Sequence, residues 1–413
     1  MPGLRRFDDM NSAATQPATV DETIALVREC SRPLGVDPVP LAESRGRVLR
    51  EPVLAPEDQP PFDRSSVDGY AVRLDDAAMR FRVVDRIRAG DWKPRALQPG
   101  EAVQIATGGA LPADGLQVVM KEDVRVEGRE IVALQRDSEQ NIRFQGEDAR
   151  AGATLVDSGT RLSAGALGLL ASVGVMHPTV TRSPRVLHVA TGNEIVPPEQ
   201  TPQRGQIRDS NSTLVRAFFG QWGIVPGQQR AGEDAAQIAG AIANSRFPID
   251  DADLLLISGG ASVGEHDFTR RLLEEWGYTI RISRTTTRPG KPLIFATRGA
   301  ALAFGLPGNP LAHFVCLNLY VRAALDGFSG IAEPVAFAEG TLVEAFDAGA
   351  NARETLWPSR MMVVDGGVKL MPLPWRSSGD LTALAAANSL VRIPPGCGTL
   401  AAGAKLAFLP TGW

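Results

Sequence analysis

The sequence has little of several things at once. It holds three cysteines in 413 residues, Cys30, Cys316 and Cys397. They are odd in number, far apart and form no C-x-x-C pair, which excludes a disulfide framework or zinc ribbon and fits a reducing compartment. No run approaches the ~20 apolar residues that a membrane helix needs, and the opening stretch MPGLRRFDDMNSAATQPATV has no apolar core of signal-peptide length. The expectation is a cytoplasmic protein with no membrane partner. Positive charge is not in excess either: 43 Lys and Arg stand against 47 Asp and Glu, a formal net charge of −4. Such a chain lacks the broad basic surface from which nucleic acid draws its affinity, so no nucleic-acid partner is expected and any anion site must be local. The four histidines (177, 188, 266, 313) have no metal-ligand spacing. His188 falls in a strand pattern and His313 in a helix pattern, where a structural role is expected. There is no G-x-S-x-G elbow and no cysteine with a nucleophile signature.

What is abundant is glycine and proline, 42 and 30 residues, which implies many turns and short strands. At about 150 residues per domain, the length suggests two to four domains. Residues 1–18 read as a disordered tail. TVDETIALVRECSR (19–32) reads as a helix capped by Thr19 or Asp21. From about 47 to 146 short alternating runs such as FRVVDRIRAG and LQVVMKED form a β module. The 147–182 segment contains a small-residue helix over 163–173 that could return beside the first helix. That makes 19–46 and 147–182 two parts of one elongated domain and 47–146 an insertion. Residues 183–331 alternate continuous apolar strands with helices, the pattern of a doubly wound parallel α/β domain buried on both faces. Residues 332–413 return to short β runs and suggest a small barrel or sandwich.

Three apolar strands of the α/β segment end in glycine turns: Thr191-Gly192-Asn193-Glu194, Gly259 to Glu265, and Gly305 to Pro310. If the strands are parallel, the turns share one sheet edge, where open α/β sheets gather ligands. RTTTRPGKP (284–292) supplies three cations and three hydroxyls in nine residues, suited to an oxyanion or polyphosphate. GGASVGE is neither G-x-G-x-x-G nor a Walker A loop, which disfavours an NAD enzyme and a P-loop NTPase. Acids at Glu194, Asp209, Glu265 and Asp267 beside a phosphate site raise its cost unless a divalent cation stands between them. Mg²⁺ suits that place, taking one or two carboxylates with phosphate oxygens and water. At its spacing Asp267 also suits the N-cap of the next helix, and the D-G of Asp68-Gly69 is on its own a turn signal.

PFDRSSVDGYAV, IATGGALP with VVMKED, NIRFQGEDARAG, ATGNEI, GQIRDSN, ISGGASVGEHDFT, RPGKP and GLPGNP follow one another along the chain. In that order and spacing they resemble the molybdopterin molybdenumtransferase family, the bacterial molybdenum-insertion proteins similar to the E domain of gephyrin. The resemblance spans nearly the whole chain from about residue 19. It implies an elongated two-segment domain, an inserted β domain, a molybdopterin-binding α/β domain and a C-terminal β-barrel. It also implies an L-shaped homodimer whose cleft joins the α/β domain of one subunit to the β domain of the other, so that VDGYAV acts in trans.

The reaction implied is insertion of molybdate into adenylyl-molybdopterin with Mg²⁺ assistance, releasing AMP and Mo-molybdopterin. Asp68 matches the aspartate of the family's DGYA motif, Thr107 the threonine of its TG motif, and Asp148 the aspartate of GED. Glu194 matches the acid of TGxE and Asp267 the acid after the SVGE loop. Asp68, Glu194 and Asp267 are the metal candidates. Gly259, Gly260, Ser262 and Gly264 match the substrate-cradling loop, with Arg284, Arg288, Lys291, Pro307 and Asn309 as further substrate contacts. Arg353 and Ser378 align with family positions facing the cleft. Cations would hold molybdate and pterin phosphate while acids hold the metal. Arg284 and Arg288 stand where many members have lysines, giving planar forks in place of point charges. Leu311-Ala312 and Glu233-Asp234 also depart from the pattern, which leaves room for a tungstate preference. A molybdopterin adenylyltransferase, or a non-catalytic carrier or scaffold for the finished cofactor, are the alternative readings. The upstream adenylyltransferase and the recipient molybdoenzymes are the partners implied.

Overall fold

The computed structural model describes residues 17–136, 139–232, 234–259, 266–332, 334 and 336–411, with backbone only at His266 and Asp267. Of the expected tail, residues 1–16 lie outside this range, whereas Ala18 is tied down. Its N–H donates to the Arg284 carbonyl at 3.0 Å, and its own carbonyl accepts from Thr286 N–H at 2.8 Å.

Helix Val20–Cys30 starts at Thr19, not Asp21. The Thr19 hydroxyl accepts from Glu22 N–H, and the Glu22 carboxylate accepts from Thr19 N–H, a reciprocal cap that fixes the first turn. Its buried Val20 and Val27 join a core with Val315, Tyr320 and Phe328. The helix therefore packs on helix Arg322–Ser329 of the α/β domain and not, as expected, beside the 163–173 portion. The latter forms helix Ala164–Ser172, capped by Ser163, and its leucines go to a separate core with Leu41, Leu49 and Val53.

Between the two the chain runs out and back along itself. Val53–Leu54 pairs antiparallel with Thr154–Val156, and Arg64–Ser65 with Ile142–Arg143. Bridges Val48 to Arg161 and Gln59 to Ala149 complete the stalk. Limits drawn at 46/47 and 146/147 thus cut through a paired stretch, because pairing follows the ladder whereas composition follows the polar loops. Beyond the stalk lies a six-stranded sheet containing Gly69–Arg73 next to Leu116–Met120 and Glu101–Ile105. A Cβ on Gly69 would sit 2.2 Å from the Val119 carbonyl oxygen, so the D-G dipeptide marks a close strand approach as well as a bend.

The α/β sheet orders its strands Gly227–Ala231, Val186–Thr191, Leu254–Ser258, Ala301–Leu306, Ile294–Arg298, Thr279–Ile282. The first four are parallel. Ile294–Arg298 runs against both its neighbours, which corrects the expectation of a wholly parallel sheet. Strands Ile294–Arg298 and Ala301–Leu306 are joined only by Gly299 and Ala300, a hairpin loop too short for a crossover. Strand Thr279–Ile282 was not anticipated. The three strands that end in glycine turns are parallel to one another, so Thr191, Ser258 and Leu306 finish at one edge. Leu254–Ser258 is buried throughout, with one core on each face of the sheet. The C-terminal segment closes as a barrel of Ala338–Leu342, Gly367–Pro372, Thr355–Val364, Ser389–Ile393 and Lys405–Pro410. The multidomain α/β plus β class, with its inserted β sheet and terminal barrel, is the fold observed.

His188 and His313 are fully buried in the α/β core. Burial lowers the imidazole pKa of His188 to about 3 and that of His313 to about 4, against an ordinary value near 6.5. Both are therefore neutral in the folded protein at pH 7. Below about pH 6.5 the unfolded chain takes up protons that the folded chain refuses, so stability falls as pH drops toward 4. His313→Leu is expected to flatten this acid limb by about 1.4 kcal/mol per pH unit between pH 6 and about 4. Urea denaturation across that range measures it.

Candidate active site

Each of the three turns at the common edge is shaped by what its neighbours leave open. Gly259 has φ +100°, and a Cβ there would lie 2.2 Å from the Thr191 carbonyl oxygen. Its N–H donates to the Leu306 carbonyl at 3.3 Å. The position thus meets both neighbouring strand ends, and only glycine fits. Asn211 Nδ2 donates to the Gly308 carbonyl at 2.7 Å, fixing the third turn. Above these turns opens a cavity of about 460 Å³ lined by Thr191, Glu194, Arg208, Asp209, Asn211, Ser258, Gly259, Pro307, Gly308 and Asn309.

Its two acids differ. Asp209 is buried, which pushes its carboxyl up, but hydrogen bonds from Ser212 and Arg230 outweigh that and hold it below the ordinary carboxylate range. Glu194 is exposed on the cavity. Among the described residues its carboxylate makes no hydrogen bond or ion pair, and it folds back over Gly192, where a Cβ would meet Glu194 Oε2 at 2.6 Å. Asp209 is structural in this arrangement, and Glu194 is the acid available to a ligand.

Pro292, Pro307 and Asn309 also line a second cavity of about 310 Å³. Arg288, Lys291, Arg353, Arg376, Ser377, Ser378, Trp357 and Trp375 complete it, and no acid is among its lining residues. Four cations with no acid among the described lining residues make a site for an oxyanion. The cationic loop is held from three sides. Thr285 N–H donates to the Lys291 carbonyl at 3.0 Å, and Arg288 N–H to the Glu354 carbonyl of the barrel at 2.8 Å. Beneath, Thr287 Oγ1 is hydrogen-bonded to the hydroxyl of buried Tyr320, which stands in the π-helical turn Leu317–Val321. Such widened turns re-aim a side chain within a helix. The Arg288 guanidinium lies 5.2 Å from the Trp375 ring centre, a cation–π contact that favours this placement of the side chain. Asn309 Nδ2 donates to Ser378 Oγ at 2.8 Å, joining the barrel to the third turn.

The comparisons with known proteins agree along most of the chain. Residues 18–174 match the model of the MoeA N-terminal region (domain I and II), 188–327 a probable molybdopterin binding domain, and 341–411 the MoeA C-terminal region (domain IV). A curated molybdopterin molybdenumtransferase from Nostoc sp. is 34% identical over 373 residues, 87% of this chain and 85% of that protein. One from Bacillus subtilis is 31% identical over 393 residues, 92% and 91% of the two chains. The crystal structure of a molybdopterin biosynthesis MoeA protein from Pyrococcus horikosii covers 96% of this chain and 100% of its own, with TM-score 0.74 and 29% identity. The chain belongs to the molybdopterin molybdenumtransferase family.

Against that family's pattern, Glu194, Gly259, Pro307 and Asn309 gather at the first cavity, and Arg288, Lys291, Arg353 and Ser378 at the second. Arg284 lines neither: it is exposed, and its carbonyl is spent on Ala18. Gly260, Ser262 and Gly264 lie outside the described residues. Asp267 is in helix His266–Glu275, and its side chain is likewise outside them. Asp68, Thr107 and Asp148 sit in the N-terminal β region. Asp68 Oδ1 accepts from Thr107 N–H at 2.8 Å and Oγ1 at 3.0 Å, and Oδ2 from Lys121 Nζ at 3.3 Å. The Thr107 hydrogen bonds, then Lys121, lower the Asp68 pKa and keep it ionised. Asp148 accepts from Arg143 and its N–H donates to the Gln59 carbonyl. No contact within one chain brings Asp68 to Glu194, and among the described residues no group of three His, Cys, Asp or Glu stands ready for a metal. Arg208, Asn211, Trp357, Trp375, Arg376 and Tyr320 were not singled out in the sequence. Arg208 and Asn211 at least fall within GQIRDSN; the others carry no local signal.

Tyr320→Phe leaves the buried Thr287 hydroxyl without its partner and is expected to lower stability by about 1–2 kcal/mol. Equilibrium urea unfolding with the wild-type chain alongside measures the difference.

Proposed function

We infer that this chain is an enzyme of molybdenum cofactor biosynthesis, a transferase that inserts molybdenum into molybdopterin. The observation that carries the reading is the pairing of two cavities: a cationic one with no acid among its described lining residues shares a wall of Pro292, Pro307 and Asn309 with one framed by glycine turns. A doubly charged tetrahedral oxyanion suits the cationic cavity, where Arg288 and Arg353 offer planar forks and Ser378 a hydroxyl. The cavity framed by glycine turns has the close backbone for a ligand carrying phosphates, with adenylyl-molybdopterin as the substrate that unites both.

In this reading Arg288, Lys291 and Arg353 bind molybdate and hold it beside the pterin end of the substrate. Backbone at Gly259 and Gly308 frames the phosphate region, and Asn309 orients the shared wall through Ser378. Mg²⁺ suits Glu194, whose carboxylate has no partner among the described residues and lies on the cavity, with Asp267 and Asp68 of the partner subunit as further donors. When bound, the ion would neutralise the pyrophosphate and favour its cleavage to AMP. Thr107 keeps Asp68 ionised and aimed, so the acid reaches the cleft already charged. This reading takes the chain as a homodimer, since Asp68 and Glu194 belong to separate sheet regions of one chain.

The test is molybdate-dependent AMP release from adenylyl-molybdopterin. Asp68→Ala and Arg288→Ala are each expected to lose about 10²-fold in rate. Mixing the two inactive variants under subunit exchange is expected to restore about a quarter of wild-type activity, because half the dimers then hold one intact site. Release that ignores molybdate, or variants as active as wild type, would refute the assignment; mixing without recovery would place Asp68 outside the shared cleft.

A further inference from the structure

Two buried histidines that take no part in the reaction lie one layer below the cleft. Gln228 Nε2 donates to His188 Nδ1 at 3.0 Å, so His188 Nε2–H donates to Ser258 Oγ at 2.6 Å. Ser258 is the last residue before Gly259, and its carbonyl accepts from Thr191 Oγ1 at 3.1 Å. His313 Nδ1–H donates to the Pro307 carbonyl at 3.1 Å, the residue before Gly308. The two rings are 6.4 Å apart in an edge-on arrangement. Each imidazole therefore holds the residue that leads into one of two of the three glycine turns.

We propose that His188 and His313 are positioning residues, which keep the Ser258-Gly259 and Pro307-Gly308 turns in the register that receives the substrate. The proposal rests on the functional reading above. Its physical argument is one of cost. A fully buried imidazole gives up hydration that an aliphatic side chain of similar volume never had. His313 bears a second cost, since its Nε2 has no partner among the described residues. Polar groups retained at a net cost beneath a ligand site are explained by what they orient, and here each spends a donor on one turn. Gln228 also donates to the Ser212 carbonyl at 2.8 Å, and Ser212 N–H and Oγ donate to the Asp209 carboxylate on the cavity wall. One relay thus connects His188 to two sides of the cleft. The nearest charged groups, Asp209 and Arg230, are bound to each other and leave both rings neutral.

His188→Leu and His313→Leu remove the donors. His188→Gln restores an N–H at the place of Nε2, and His313→Asn at the place of Nδ1. In the AMP-release assay the Leu variants are expected to raise KM for adenylyl-molybdopterin about tenfold with kcat within about twofold, and the amide variants to return it to within about threefold. Hydrogen exchange followed by mass spectrometry is expected to quicken in the peptides carrying Gly259 and Gly308, and only there, with the same rescue. Folded Leu variants with unchanged KM and exchange would overturn the proposal, as would amide variants no better than Leu. Should the Leu variants not fold, Gln228→Met decides for His188: raised KM with faster exchange near Gly259 supports it, and no change refutes it. A wild-type chain that released no AMP would sink the functional reading, while the exchange data would still decide this one.

Discussion

The site depends on one close approach. Gly259 sits so near the Thr191 carbonyl that no side chain fits, while its amide reaches the Leu306 carbonyl on the other side. Three parallel strands can end this tightly together only if the middle turn is glycine in a left-handed conformation. From that contact follows the rest of the cleft: the carboxylate of Glu194 folds over one turn, Asn309 projects from another, and buried Asp209, neutralised by Arg230, closes the wall without adding free charge.

The second element of the site is made between domains. The cationic loop belongs to the α/β chain segment, but its geometry is set by barrel residues Glu354 and Trp375, by Tyr320 beneath, and by Ala18. The loop is therefore clamped before any ligand arrives. Arg288 against Trp375 and Arg353 on the Thr287 carbonyl are thus placed before an anion binds, which lowers the cost of ordering them, and the lack of acids among the described lining residues separates this cavity from the carboxylate-bearing one beside it.

Much of this was legible in the sequence. Continuous apolar strands announced a sheet buried on both faces, and the glycine turns after Thr191, Ser258 and Leu306 announced a shared edge. Even the cationic loop could be singled out by its density of charge and hydroxyls. What could not be read was partnership across distance. The first helix looked like a companion of the 163–173 helix, yet Val20 and Val27 found a larger apolar surface on the α/β domain. The stalk pairing of 48–65 with 142–161 has no local signature, because two-residue strands leave no periodicity. Arg284 and Arg288 look alike in RTTTRPGKP, but only Arg288 meets Trp375 and turns into the cleft. Trp375 itself stands in a polar stretch that gives no hint of its role.

The central claim is that the acid-free cationic cavity receives the oxyanion. Anomalous diffraction at the molybdenum edge, from crystals soaked in molybdate, tests it most directly. The account predicts a peak between Arg288, Arg353 and Ser378, lost in Arg288→Ala. No peak there at saturating molybdate, or a peak unaffected by that substitution, would contradict it.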